Sequence, residues 1–131
     1  MRYLLAYLGS GVVMAILDAV WLTVVGPRLY RPAIGELLAP QPNLRVAAVF
    51  YLVYVAGIVF LAVTPALRDG SALRAAVSGA ALGLVAYATY DLTNQATLRV
   101  WPAHLTLIDL AWGTCVTAVA ALAGYWLASR G

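Results

Sequence analysis

Two aspartates of the chain share a local pattern suited to hydrogen-bond or proton chemistry. Asp18 and Asp109 each begin the sequence Asp-x-x-Trp-x-Thr, so that Trp21 and Trp112 follow three residues later. Residues three apart share one face of a helix. An indole N–H on that face is able to donate to a nearby carboxylate while its ring fills space. The repeated pattern is either a coincidence of two short segments or the sign of an inverted pseudo-repeat.

A third aspartate lies in a stripe of polar and aromatic side chains. The stripe has the spacing of one helix face, with steps of three and four residues. Its members are Tyr87, Tyr90, Asp91, Asn94, Thr97 and Trp101. Such a face is not expected to look into lipid, so it is predicted to point into a helix bundle or a wet cavity. Tyr51 and Tyr54, again three apart, begin the apolar stretch that precedes it.

The aspartates predict proton-transfer chemistry. Two carboxyl groups in a medium of low dielectric repel each other when both are ionised, so that one serves as an acid and the other as a base. Asp91 and Asp109 are the predicted pair, and Tyr90 is predicted to donate to a developing oxyanion. No cysteine or serine lies in the sequence context of a nucleophile, which favours acid–base or metal-assisted chemistry over covalent catalysis. Arg99 or His104 would bind a polar headgroup.

These residues predict a site that acts on a lipid or another apolar substrate. The predicted catalytic residues are Asp18, Asp91, Asp109, Tyr90 and Asn94. The predicted substrate-binding residues are Trp21, Tyr30, Tyr51, Tyr54, Thr97, Arg99 and Trp112. No resident metal or other cofactor is predicted, because the single histidine, His104, has no second ligand at a short spacing and Cys115 is the single cysteine.

The composition indicates the medium in which these residues lie. The chain has 131 residues, of which 64% are hydrophobic and 10% are charged, and its mean hydropathy is +0.90. A soluble domain carries about 25% charged residues. This chain has too few charges for a surface that faces water, and it is predicted to be an integral membrane protein. Its eight basic residues are all arginines dispersed along the chain, which is not typical of nucleic-acid binding.

Four stretches are long enough to cross a bilayer, which requires about 20 apolar residues in a helix. They cover roughly residues 3–25, 46–66, 72–94 and 105–127. The sequence therefore predicts an all-α fold: a single domain over residues 1–131 that forms a four-helix transmembrane bundle with both termini on one side. The first stretch is long and lacks a clean small-x-small cleavage site, which favours a retained helix over a signal peptide.

The connection after the first span is predicted to be a loop. The span is expected to end at Gly26-Pro27, and residues 31–39 are a candidate for a short interfacial helix. Three further prolines argue against one continuous helix here: Pro32, Pro40 and Pro42. In this topology all three aspartates of the spans lie in the same leaflet, at the end of the bundle opposite the termini.

Small residues recur at every fourth position in three of the spans, a spacing that lets helix backbones approach closely in lipid. They are Gly11, Ala15 and Ala19 in the first span, Gly79 and Gly83 in the third, and Ala120 and Gly124 in the fourth. These positions are expected at helix contacts, either within the bundle or between copies of the chain.

Three elements of the sequence carry a resemblance to a known family. They are Asp18-x-x-Trp21-Leu22, Tyr90-Asp91-Leu92-Thr93-Asn94-x-Ala96-Thr97 and Asp109-x-x-Trp112-Gly113. The chain resembles, over nearly its whole length, the bacterial predicted membrane proteins grouped as domain of unknown function 2177. The resemblance implies a four-helix, multi-pass protein of the bacterial inner membrane. It implies no activity, substrate or cofactor.

Other functions remain open for the same residues. The aspartates would be structural if they pair with arginine or tyrosine across helices and line no cavity. A small oligomer would use them for proton-coupled transport along a path through the apolar half of the bundle. An accessory subunit of a larger membrane complex would turn the polar face toward a partner or a pigment. The expected partners are membrane lipids, with a homo-oligomer or a larger complex as alternatives and no nucleic acid.

Overall fold

The protein consists of four long helices joined by short connections. The computed structural model describes residues 1–131, with helices over Arg2–Leu37, Leu44–Asp69, Ala72–Thr97 and Ala103–Ser129, which we call the first to fourth helices. Each is long and apolar enough to cross a membrane. The chain contains no β-strand. The predicted all-α, four-helix membrane fold is thereby confirmed.

The first helix is longer than the sequence suggested. It does not end at Gly26-Pro27 but continues to Leu37, so only residues 38–43 connect it to the second helix. The reason lies in a π-helical turn over Trp21–Val25, in which the Gly26 N–H donates to the carbonyl of Trp21, five residues back. Proline lacks an N–H and its ring collides with the preceding turn of an α-helix. The wider turn accommodates Pro27 without ending the helix.

The second helix repeats this arrangement before its own proline. A π-helical turn over Val59–Val63 precedes Thr64-Pro65, and the Thr64 N–H donates to the carbonyl of Val59. The helix then continues as Thr64–Asp69 and ends at Gly70. Gly70 has a φ of 60°, the left-handed conformation that commonly closes a helix and that glycine adopts without a Cβ clash. The tight turn at Gly70 leads directly into the third helix.

The first helix bends near its π-helical turn. On a straight α-helix, side chains nine residues apart lie on opposite faces and about 13.5 Å apart along the axis. The Trp21 Nε1 nevertheless lies 2.9 Å from the Tyr30 hydroxyl. The helix must therefore change direction between them. Beyond the bend, Ile34 packs with Trp101 and Leu105 over the start of the fourth helix.

Glycines allow the fourth helix to touch its neighbours. A Cβ on Gly83 would meet the carbonyl oxygen of Gly113, and a Cβ on Gly79 would meet Ala121. On the other side, a Cβ on Gly124 would meet the Ser10 Oγ, which donates to the carbonyl of Ala120 at 2.8 Å. The predicted contacts in the third and fourth helices are thus present within the bundle.

The small residues of the first helix behave differently. Ala15 and Ala19 are exposed, and Gly11 is only half-buried against Val55. The buried face of this helix instead carries Ala6, Gly9, Ser10 and Met14. Spacing alone did not distinguish the two faces, because both contain small residues.

Candidate functional site

Asp18 is held by side chains from two other helices. The Tyr51 hydroxyl of the second helix donates to its Oδ2. The Trp112 Nε1 of the fourth helix donates to its Oδ1 at 3.3 Å. Both carboxylate oxygens are therefore satisfied by neutral donors. Asp18 thus links the first, second and fourth helices.

Asp109 is held by the bent part of the first helix. The Tyr30 hydroxyl donates to its Oδ1, and the Trp21 Nε1 donates to the same Tyr30 hydroxyl at 2.9 Å. Asp109 itself is 5% exposed. Since the Tyr30 hydroxyl accepts one hydrogen bond and donates another, Trp21 and Asp109 are joined through it in one hydrogen-bonded chain. The bend of the first helix is what makes this chain geometrically attainable.

The two Asp-x-x-Trp segments interlock. The rings of Trp21 and Trp112 stack with their centroids 4.3 Å apart and their planes 11° from parallel. Each tryptophan serves the aspartate of the other segment: Trp112 bonds Asp18 directly, and Trp21 reaches Asp109 through Tyr30. The sequence left open which carboxylate each indole would meet, and in the structure the hydrogen bonds run between the two segments.

The threonines that close the two segments also match. Thr23 donates to the carbonyl four residues back at 2.8 Å, and Thr114 does so at 2.7 Å. In both segments this acceptor is the residue directly after the aspartate, Ala19 or Leu110. Threonines of the third helix make the same bond to the carbonyl four residues back, which is usual for threonine in a helix. These bonds are therefore no sign of a relationship between the two segments, and the inverted pseudo-repeat stays a prediction.

Asp91 differs from the other two aspartates. Its side chain is fully buried, and neither carboxyl oxygen has a hydrogen-bond partner. It lies on the third helix beside the carboxyl group of Asp109. No arginine neutralises this pair, since the one salt bridge of the protein joins Arg74 to Asp69 at the opposite end. An unpartnered buried carboxylate is costly, so this pair is the feature of the bundle that most needs a proton or a ligand.

A cavity of about 580 Å³ opens beside Asp109. Its wall is formed by the bent end of the first helix, by residues 38–42 and by the facing ends of the third and fourth helices. Tyr30, Tyr90 and Trp101 supply its aromatic surface, and Arg31 is its one basic side chain. Tyr90 packs edge-on against Trp101, with ring centroids 5.7 Å apart. The volume falls in the range of about 300–1,000 Å³ that is usual for ligand sites.

A second cavity, of about 330 Å³, lies between the second and third helices. Its lining is entirely apolar or aromatic: Phe50, Tyr54, Ala86, Tyr87 and Tyr90. The Phe50 and Tyr54 rings stack at 5.4 Å, and the Tyr54 hydroxyl is bonded to the Thr117 Oγ1 at 2.8 Å. Tyr90 belongs to the walls of both cavities, so the two adjoin at this side chain.

The remaining predicted residues lie at varying distances from this cluster. Asn94 is half-buried beside Tyr90. Thr97 is exposed, and its hydroxyl donates to the carbonyl of Thr93. Arg99 and His104 are exposed and line neither cavity.

The basic residue at the larger cavity is Arg31, which the sequence analysis had not placed in the site. Its position directly after Tyr30 was the indication that the sequence offered. Because this segment was predicted to be a loop, neither residue could be assigned to a helix face. No group of three or more histidine, cysteine, aspartate or glutamate side chains converges in the chain. The groups that do converge are suited to proton transfer and hydrogen bonding.

Fold and site together define a small multi-pass membrane protein with a polar cluster and a cavity at one end of its bundle. The chain belongs to the family described as "Predicted membrane protein (DUF2177)", whose model matches residues 3–126. No curated protein gives a significant match. No solved structure gives one either. The family description specifies the membrane and no activity, so the function is argued from the site.

Proposed function

We propose that the protein is a membrane enzyme that acts on a lipid or another apolar substrate by acid–base chemistry. The observation that carries the proposal is the pair formed by Asp91 and Asp109 at the wall of a cavity of ligand size. Asp109 lines the cavity, and the buried Asp91 lies beside it. No other residue donates a hydrogen bond to Asp91, and no basic side chain forms a salt bridge with either carboxyl group.

The chemistry follows from the position of the two carboxyl groups. Two ionised carboxylates side by side and away from water repel each other strongly. One proton shared between Asp91 and Asp109 removes that repulsion and leaves one acid and one base in the same site. Asp109 faces the substrate and exchanges the proton with it. The Asp91 carboxyl group is the second group on which the shared proton resides. Tyr90, in the cavity wall, donates to the oxygen on which negative charge develops.

Asp18 has a different role in this proposal. Its two oxygens already accept bonds from Tyr51 and Trp112, and it lines neither cavity. It is a positioning residue that fixes Trp112, and through the tryptophan stack Trp21 and the Tyr30–Asp109 bond. The structural explanation considered from the sequence thus applies to Asp18, where a specific set of bonds favours it.

The proposal also specifies surroundings and partners. The substrate reaches the site from the bilayer, so membrane lipids are the proposed partners, in a bacterial inner membrane. Association into a homo-oligomer or a larger complex is an alternative that native mass spectrometry of the detergent-extracted protein would reveal as added mass. Proton-coupled transport is less favoured, because the polar cluster and its cavity lie at one end of the bundle.

Comparative lipid analysis tests the proposed activity. Membranes of a bacterial host that expresses the protein are compared by mass spectrometry with membranes that contain the Asp91→Asn or the Asp109→Asn variant. Asp69→Asn, an exposed substitution outside the cluster, is the matched control. We expect the wild type and the control to produce the same altered lipid and both cluster variants to produce none, while all four proteins remain folded.

Two results would contradict the proposal. The first is a lipid profile that is the same for the wild type, both cluster variants and the empty host. The second is that Asp91→Asn prevents folding while Asp69→Asn does not, which would assign Asp91 a structural role. Thermal unfolding of the purified variants separates this second result from a loss of chemistry.

A further inference from the structure

We propose that the substrate is an anionic lipid whose headgroup binds at Arg31 in the larger cavity and whose chain lies in the aromatic cavity between the second and third helices. The inference rests on the proposed function for the claim that the lipid is converted, but it is argued from the two cavities themselves. Their shared wall residue, Tyr90, is the point at which headgroup and chain would meet.

The charge of the larger cavity specifies the headgroup. Arg31 lines it and makes no salt bridge. A guanidinium pairs with phosphate or carboxylate through two parallel hydrogen bonds. The other charged residue in the lining, Asp109, would repel an anion. An anionic group is therefore expected at Arg31, and an uncharged, reactive part of the lipid at Asp109.

The smaller cavity specifies the other half of the ligand. None of its five lining residues is charged. It lies between helices that cross the membrane, beside side chains that face outward, such as Phe50 and Val53 with 49% and 67% of their surface exposed. A hydrocarbon chain that entered sideways from the bilayer would replace lipid contacts by aromatic ones at little cost. A soluble anion such as phosphate would leave this cavity unused.

The two halves of the site have separate and conservative test variants. Arg31→Gln removes the cation, and Arg28→Gln removes an exposed arginine of the same helix that lines neither cavity. Ala86→Phe fills the smaller cavity, and Ala81→Phe places the same ring on an exposed position of the same helix. Each variant thus has a control of equal chemical change.

The experiment measures binding by native mass spectrometry in mild detergent, with phosphatidylglycerol, diacylglycerol of the same chain length or inorganic phosphate added. Diacylglycerol has no phosphate for Arg31 to bind, so the wild type and both controls are expected to retain one phosphatidylglycerol with about a tenfold preference over diacylglycerol, the effect of one charge-assisted hydrogen-bond pair. Arg31→Gln should lose that preference. Ala86→Phe should weaken the binding of both lipids while their ratio stays the same.

Three results would overturn the assignment. They are an equal loss of preference in Arg28→Gln and Arg31→Gln, an equal effect of Ala81→Phe and Ala86→Phe, and binding of inorganic phosphate that matches that of the lipid. The outcome is separable from that of the proposed chemistry. Arg31-dependent binding without conversion would refute the enzyme and leave the ligand assignment standing. Conversion that does not depend on Arg31 would support the enzyme and refute the assignment of the headgroup to Arg31.

Discussion

A single added methyl group at Gly83 should separate the two helices that carry the acid–base pair. The Cβ of an alanine there would lie 2.1 Å from the carbonyl oxygen of Gly113 and 2.8 Å from the Thr117 Cβ. Ordinary van der Waals contact begins at about 3.4 Å. The obstacle is helix backbone and not the end of a flexible side chain, so the third and fourth helices must move apart by roughly 1 Å to relieve the clash.

The expected cost follows from this geometry. Overpacking of a close contact destabilises a protein by about 1–3 kcal/mol, whereas glycine to alanine inside a helix gains up to about 1 kcal/mol in propensity. Gly57→Ala isolates the clash, because Gly57 is also inside a helix and a Cβ there has no neighbour within 4 Å. Gly83→Ala should therefore be less stable than Gly57→Ala by about 1–3 kcal/mol.

The assay is reversible unfolding in mild-detergent micelles with increasing sodium dodecyl sulfate, followed by circular dichroism. A second measurement is lipid conversion at a temperature at which both variants are folded. Conversion should fall only in Gly83→Ala, since moving the helices apart separates Asp91 from Asp109. Equal stability of the two variants would refute the close approach of the third and fourth helices. Full activity in a destabilised Gly83→Ala would refute the need for a tight carboxyl pair.

Two further predictions concern other contacts. Trp112→Phe removes the N–H that donates to Asp18 and reduces the ring area stacked on Trp21. Unfolding should become easier by at least about 0.6–1.7 kcal/mol, the value of a hydrogen bond in a membrane protein. Trp126→Phe, at a position that is 54% exposed, should change nothing; equal effects of the two would contradict the role of the bond. Arg74→Gln breaks a salt bridge to Asp69 whose partners are about half exposed. Its thermal midpoint should fall by no more than about 5 °C at low salt and match the wild type at high salt, because exposed pairs contribute at most about 1 kcal/mol and are screened by salt.

Much of the site could be predicted from the sequence, for a physical reason. A buried aspartate or tyrosine is conspicuous in an apolar stretch because lipid offers it no partner. Asp18, Asp91 and Asp109 stand out in this way, and the alternating direction of successive spans already places them at one end of the bundle. Their placement in one leaflet therefore required no tertiary information, whereas the contacts between them did. The assignment of catalytic and binding roles to them stays a prediction.

The partners of these residues could not be predicted. Tyr30 was assigned to a loop, yet it lies on a helix and bonds Asp109. The sequence left open which carboxylate the Trp112 N–H would meet, and in the structure it bonds Asp18 on another helix. For Arg31, nothing in the sequence indicated a place in the site except its position beside Tyr30. In each case the partner depends on which helix faces meet. The spacing of residues along one helix carries no information about that.

The sequence by itself determined that this is a four-helix membrane protein with the three aspartates of its spans at one end. Both properties depend on local quantities, the length of apolar runs and the position of charges within them. Only the tertiary structure decided that the first helix bends through Pro27 and that the two Asp-x-x-Trp segments exchange partners. It also decided that Asp91 is buried beside Asp109 with no donor from any other residue. A hydrogen bond between helices depends on bends and close approaches that the whole bundle sets together, because in lipid each helix must satisfy its polar groups against its neighbours.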